Sequence, residues 1–132
     1  MKILLTGAAG FVGWKTAELL CERGDTVIGI DNFNDYYEVS LKEWRLEQLK
    51  VYADFRFFKA DIENRDDLAS LFEEHQFDAI INLAARAGVR DSMENPDIYF
   101  STNVFGNLQL LKLAAEHSVP KYVSASTSSL YA

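Results

Sequence analysis

Short apolar runs alternate along this chain with longer stretches of helical period. "KILLT" (2–6), "TVIGI" (26–30), "FRFFK" (55–59), "AIINLA" (79–84) and "KYVSAS" (121–126) read as strands. Near-continuous apolar runs of this kind predict strands covered on both faces. Between the first two, Gly13, Ala17, Leu20 and Cys21 fall on one helical face, and Gly24 closes that helix. "LKEWRLEQLKVY" (41–52) reads as a helix with an imperfect apolar stripe, and "NRDDLASLFEEH" (64–75) as one with Leu68, Leu71 and Phe72 inward. Asn95-Pro96 starts a long helix ending near His117, with Val104, Leu108, Leu111 and Ala115 on its inward face.

Strands alternating with helices predict a parallel sheet joined by right-handed crossovers. Five strands in this rhythm give an α/β, doubly wound, Rossmann-type fold of order 3-2-1-4-5. It forms one domain over residues 1–132, with no linker to a second. Ligands of such sheets bind past the carboxyl ends of the strands, at the switch point. That edge would carry Gly7–Gly13, Asp31, Asp61, Ala84–Ala87 and Ser124–Ser128.

Composition narrows the partners. The 132 residues, 48% hydrophobic, suffice for a core. A net charge of -7 repels nucleic acid and anionic membrane, so neither is expected as a partner. An anionic ligand must then be held by local dipoles and a few placed cations. Cys21 is the single cysteine, which excludes an internal disulfide and fits a reducing cytoplasm. No charged-then-apolar leader precedes the first strand, and no apolar run approaches the ~18 residues of a membrane span, so a cytoplasmic protein is expected.

The candidate chemistry begins at "TGAAGFVG" (6–13), with Gly7, Gly10 and Gly13. Glycines allow close approach to phosphate oxygens, and a helix amino terminus supplies oriented N–H donors. A plain glycine-rich turn would look the same. Context favours the cradle: the motif follows a strand and opens a helix, and Asp31 ends the second strand. A carboxylate there can accept both ribose hydroxyls of NAD and disfavours the 2′-phosphate of NADP.

These residues resemble the extended short-chain dehydrogenase/reductase family, the nucleotide-sugar epimerases and dehydratases. "TGAAGFVG" is similar to its cofactor loop, implying NAD contacts from Gly7, Ala9, Gly10, Phe11, Val12 and Gly13. Asp31 with Asn32 follows as the ribose end. "ADI" (60–62) implies Asp61 on the adenine amino group and Ile62 against the ring. "NLAARAGV" (82–89) is similar to the stretch under the nicotinamide ribose, bringing in Leu83, Ala84 and Ala85. "STNVFGN" (101–107) resembles the segment whose Asn103 braces the central helix. "VSASTSSLYA" (123–132) resembles the strand before the catalytic groups, with Ser124 and Ala125 beside the cofactor. Residues 30–49 and 84–111 are most similar to UDP-glucuronate 4-epimerases. Two departures stand out: Arg86 where those carry glutamine, and Ala132 where they carry glycine. Arg86 adds a cation near pyrophosphate and substrate, and is taken with Ser128 as substrate-binding.

The resemblance implies hydride transfer between NAD and C4 of a UDP-sugar through a 4-keto intermediate, in a homodimer. It also implies a Tyr-x-x-x-Lys motif. Four positions beyond Tyr36, Tyr37, Tyr52, Tyr99 and Tyr122 stand Ser40, Leu41, Arg56, Asn103 and Ser126, and Tyr131 has no such neighbour here. The expectation is therefore the amino-terminal, NAD-binding part of a longer enzyme, truncated before the catalytic helix and sugar-binding domain. Such a part would leave apolar surface bare. Thr127 matches the family's catalytic Ser/Thr, whose hydroxyl meets the substrate 4-oxygen; a serine-rich loop capping its own backbone is the bland alternative. A dehydratase or decarboxylase of the same fold, or a free-standing dinucleotide module, are the other functions considered. Dehydratases typically carry an acidic pair where Ser128 and Ser129 stand. Tyr36, Tyr37, Lys42 and Arg45 lie near the cofactor edge, Trp44 reads as packing, and Cys21 as an inert buried thiol. His75 and His117 suit helix C-termini and lack metal-ligand companions, so no metal is expected.

Overall fold

The computed structural model describes residues 1–36 and 38–127. Ser128, Ser129 and Tyr131 lie outside that range, as does Tyr37. The chain runs β1 (Lys2–Thr6), α1 (Phe11–Glu22), β2 (Thr26–Asp31), α2 (Val39–Leu49), β3 (Phe55–Lys59), α3 (Arg65–Glu74) and β4 (Ala79–Asn82). It continues through α4 (Val89–Glu94), α5 (Pro96–Tyr99), a π-helical segment (Phe100–Gly106), α6 (Asn107–Glu116) and β5 (Tyr122–Ser124).

All pairings are parallel, in the order β3-β2-β1-β4-β5. This is the doubly wound sheet that the alternation of patterns predicts. Leu4 stands opposite Ile28 on one side and Ile80 on the other. On one face Leu4, Ile28 and Ile80 meet Leu68, Leu110 and Leu113; on the other Ile3, Leu5 and Val27 meet Ala17, Leu20 and Leu49. Each fully buried aliphatic side chain contributes roughly 1.5–3 kcal/mol. The edge strands do not share this burial. β3 is half-buried, and Val123 of β5 is exposed, because an edge strand packs on fewer neighbours.

The imperfect stripe of α2 has a specific cause. Lys42, a charged residue, turns inward alongside Leu49. The glycine loop is equally specific. A β-carbon on Gly13 would sit 1.9 Å from the carbonyl oxygen of Gly7, so no larger residue lets α1 start here. Gly24 closes α1 at a φ of +88°, where glycine is at ease.

The long helix needs correcting. Helical structure does run from Pro96 to Glu116, capped by His117, but it widens into a π-helical turn in the middle. Its inward residues are Thr102, Gly106, Gln109, Leu110, Leu113 and Ala114. The predicted inward face is instead exposed, with Val104, Leu108 and Leu111 between 42% and 51% accessible. Two apolar stripes interleave in this segment. The choice falls on the one holding Gly106, where any β-carbon would lie 2.7 Å from Ile62. Close packing of Ile62 against bare backbone decides the rotation of the helix.

Candidate functional site

The carboxyl edge of the sheet carries two adjoining cavities. The first is lined by Gly7 and Gly10 of the loop before α1, by Phe11 and Val12 of its first turn, by Asp31 at the end of β2 and Asn32 after it, and by Asp61 and Ile62 after β3. The second lies between β4 and β5 and is lined by Ser124, Ala125, Ser126 and Thr127, with Asn82 and Asn103. Leu83, Ala84, Ala85 and Arg86 line both and form the wall they share.

The loop before α1 is built for close approach. Gly7 has a φ of +67°, and a β-carbon on it would meet the backbone of Leu83 and Ala84 at 3.0 Å. Gly10 caps α1 with no side-chain hydrogen bond, and the first turn holds no acid. The amino-terminal N–H groups thus face a place suited to an oxyanion. Ala9 and Gly13 do not line the cavity; they hold the loop from behind. The carbonyl of Ala9 accepts from Arg45 at 3.3 Å, and the Arg45 guanidinium lies 5.8 Å over the ring of Phe11.

Asp31 is buried and already engaged. Its Oδ1 accepts from the Phe33 N–H at 2.9 Å and from the Lys42 ammonium at 3.2 Å. Both side chains of this pair are less than a tenth exposed. Asp61 accepts from the Asn32 amide at 2.9 Å and from the Glu63 N–H at 2.9 Å. The two carboxylates are therefore fixed in place by the chain itself.

Residues 101–103 tie the surrounding loops together from the π-helical turn. Ser101 and Thr102 donate to the Glu63 carboxylate after β3. Asn103 takes the Arg86 N–H at 2.8 Å and donates to the Arg86 carbonyl at 2.9 Å. Its amide is spent on that peptide, so among the described residues it holds the loop after β4. π-Helical turns often mark functional sites because the wider turn re-aims side chains. Tyr36 spans the loops as well, donating to Asp91 at 2.8 Å; these bonds to Asp91 and then Tyr99 raise its pKa above that of a free phenol.

The chain matches the family described as GDP-mannose 4,6 dehydratase over residues 4–132. It belongs to that family. It is 50% identical over 129 residues to the UDP-glucuronate 4-epimerase of Thermodesulfobacterium geofontis, covering 98% of this chain and 40% of that one. It is 45% identical to UDP-glucuronate 4-epimerase 6 of Arabidopsis thaliana, over 99% of this chain and 28% of that protein. The structure of UDP-glucuronic acid 4-epimerase from Bacillus cereus, in complex with UDP-glucuronic acid and NAD, superposes with a TM-score of 0.89 at 35% identity. That superposition covers all of this chain and 42% of the other. The chain thus spans about two-fifths or less of these relatives.

Within this family member, motif reading missed a buried polar relay under the shared wall. Thr6 donates to Asn82, and its hydroxyl accepts the N–H groups of Leu83 and Ala84 at 3.1 and 3.0 Å. The Asn82 amide donates to Asn107 at 2.9 Å, which also accepts from Tyr122 at 2.7 Å. Burial pushes the Tyr122 phenol up to about 12. The only signal in the sequence was four polar residues ending or flanking apolar runs. Trp44 meets Trp14 edge-on at 5.6 Å but is itself exposed. Among the described residues no cluster of metal-ligating side chains exists, and no helix is long and apolar enough to cross a membrane.

Proposed function

We propose that this chain is the NAD-binding part of a nucleotide-sugar 4-epimerase, the longer enzyme interconverting UDP-glucuronate and UDP-galacturonate through a 4-keto sugar. One observation carries the reading: the glycine loop, Asp31 and Asp61 line a single cavity at the switch point of the sheet. The residues fit the cofactor. The glycine backbone leaves room that a β-carbon would fill, and the start of α1 offers unopposed N–H donors to a pyrophosphate. Asp31 Oδ2, not engaged by Phe33 or Lys42, is left to accept ribose hydroxyls, while Ile62 offers an apolar surface to the adenine. NAD would supply the hydride acceptor and donor for C4 chemistry.

The chain's own residues would do the rest by binding and orientation. Leu83, Ala84 and Ala85 give a small-residue wall against which a nicotinamide ribose can lie. Thr127, at the second cavity, would present a hydroxyl to the sugar 4-oxygen and carry part of the proton relay.

Two measurements test the reading. Titration calorimetry with NAD should show binding that Asp31→Ala weakens about tenfold or more, the scale of lost charge-assisted hydrogen bonds. Unchanged affinity removes the ribose role. The longer enzyme incubated with UDP-glucuronate should give an isomer of equal mass. The description of the matched family favours a second reading, a 4,6-dehydratase, which needs a sugar with a C6 hydroxyl; offered a nucleotide hexose such as GDP-mannose, it would give a product lighter by one water.

A further inference from the structure

Arg86 is a cation with no ion-pair partner among the described residues. It lines both cavities, at the wall where they meet. Its Nε is shielded from solvent and has no hydrogen-bond partner among the described residues. A buried N–H without a partner is destabilising by about 1–3 kcal/mol, so a site that keeps one is arranged for a ligand that satisfies it.

The surroundings are equally informative. In a chain of net charge -7, no carboxylate lines the second cavity, and Arg86 is its single charged lining residue among those described. The first cavity does hold Asp31 and Asp61, but each is already bonded, Asp31 to Lys42 and Asp61 to Asn32. Arg86 therefore faces acids that have other partners. Its root is fixed, because Asn103 grips its peptide at both the N–H and the carbonyl. A planar guanidinium so held suits an oxyanion that can accept two parallel hydrogen bonds. The cavity that Arg86 shares with Gly7, Gly10, Phe11 and Val12 is where the start of α1 awaits a phosphate.

We infer that Arg86 is a pyrophosphate contact, gripping the dinucleotide's diphosphate from the wall opposite the glycine loop. The inference rests on the NAD reading above and moves Arg86 from substrate binding to cofactor binding. The glycine loop supplies neutral donors from one side; Arg86 supplies the charge from the other. A glutamine at this position could give hydrogen bonds and no charge.

The test compares adenosine, ADP-ribose and NAD by titration calorimetry at low and high salt, on the wild-type chain, Arg86→Gln and Arg86→Lys. Arg86→Gln should weaken NAD and ADP-ribose about tenfold, with adenosine unchanged and a shallower salt dependence. Arg86→Lys should fall between, since a point charge replaces a fork. The thermal midpoint of Arg86→Gln should not fall below that of wild type, because no described residue bonds the Arg86 side chain and its buried Nε is unpartnered among them. Equal NAD affinity in Arg86→Gln overturns the inference, as does a parallel loss of adenosine. A variant that loses UDP-glucuronate affinity at saturating NAD while keeping ADP-ribose affinity also overturns it, in favour of a substrate contact. A wild-type chain that binds none of the three probes overturns the NAD reading itself.

Discussion

Asn103 holds Arg86 by both hydrogen-bonding groups of its peptide, at 2.8 and 2.9 Å, across seventeen residues of sequence. The grip comes from a π-helical turn in which Ser101 and Thr102, just before Asn103, hold Glu63 on the other loop. One short segment thus sets the positions of both loops around the first cavity. Asn103→Ala should leave the fold within about 1 kcal/mol of wild type, since the site is exposed, yet weaken NAD roughly fivefold. Combining it with Arg86→Gln should give less than the sum of the two losses, because both act through one guanidinium. Titrations of the two single variants and the double variant decide this; strict additivity would separate the residues.

Gly13 tolerates no side chain. Gly13→Ala puts a methyl 1.9 Å from the Gly7 carbonyl oxygen, so either the loop or α1 must move. The expected result is a destabilisation of about 1–3 kcal/mol together with loss of NAD binding. Gly24→Ala is the control: nothing lies within 4 Å, but the φ of +88° is strained for alanine. It should lower stability by about 1 kcal/mol and leave NAD affinity unchanged. Thermal melts and titrations on both variants check the contrast.

Lys42 and Asp31 form a buried pair at 3.2 Å. Lys42→Met removes one partner and leaves a buried carboxylate unpaired, an effect on the order of 3 kcal/mol. Lys42→Met with Asp31→Asn should recover much of that stability, since no lone charge remains. Denaturant unfolding of the single and double variants measures the recovery; none would show that the pair's burial is not what makes Lys42 matter.

Cys21 should resist alkylation in the folded chain. Desolvation, with smaller contributions from Asp54 and Asp25, pushes its thiol up to about 11. At pH 8 the thiol stays protonated, and iodoacetamide labelling should follow unfolding. The folded state holds this proton to higher pH than the unfolded state, where the thiol titrates near its ordinary value of 9.0. The linked stability is therefore complete below pH 9 and declines as pH rises toward 11. Rapid labelling of folded protein at pH 8 would contradict the assignment.

Much of the site was legible because its parts are local. Gly7, Gly10 and Gly13 stand at fixed offsets after a strand, Asp31 ends the next strand and Asp61 lies two residues past the one after, so chain order alone brings them to one edge. The relay Thr6–Asn82–Asn107–Tyr122 was not legible, since its members lie far apart in sequence and each alone reads as an ordinary polar residue. Arg86 was visible as a departure, but its unpartnered Nε is a property of packing.

The sequence by itself determined the alternation of strands and helices, the doubly wound order and the chemistry gathered at the switch point. These depend on period, glycine spacing and connection length, which the chain carries locally. Tertiary structure alone decided which of two apolar stripes the Pro96–Glu116 helix buries, that Lys42 turns inward to Asp31, and that Asn103 fixes Arg86. Each of those depends on a close approach between distant segments: Ile62 against Gly106, α2 over β2, the π-helical turn against the loop after β4. No local pattern encodes such an approach, because its free energy exists only once both surfaces are packed.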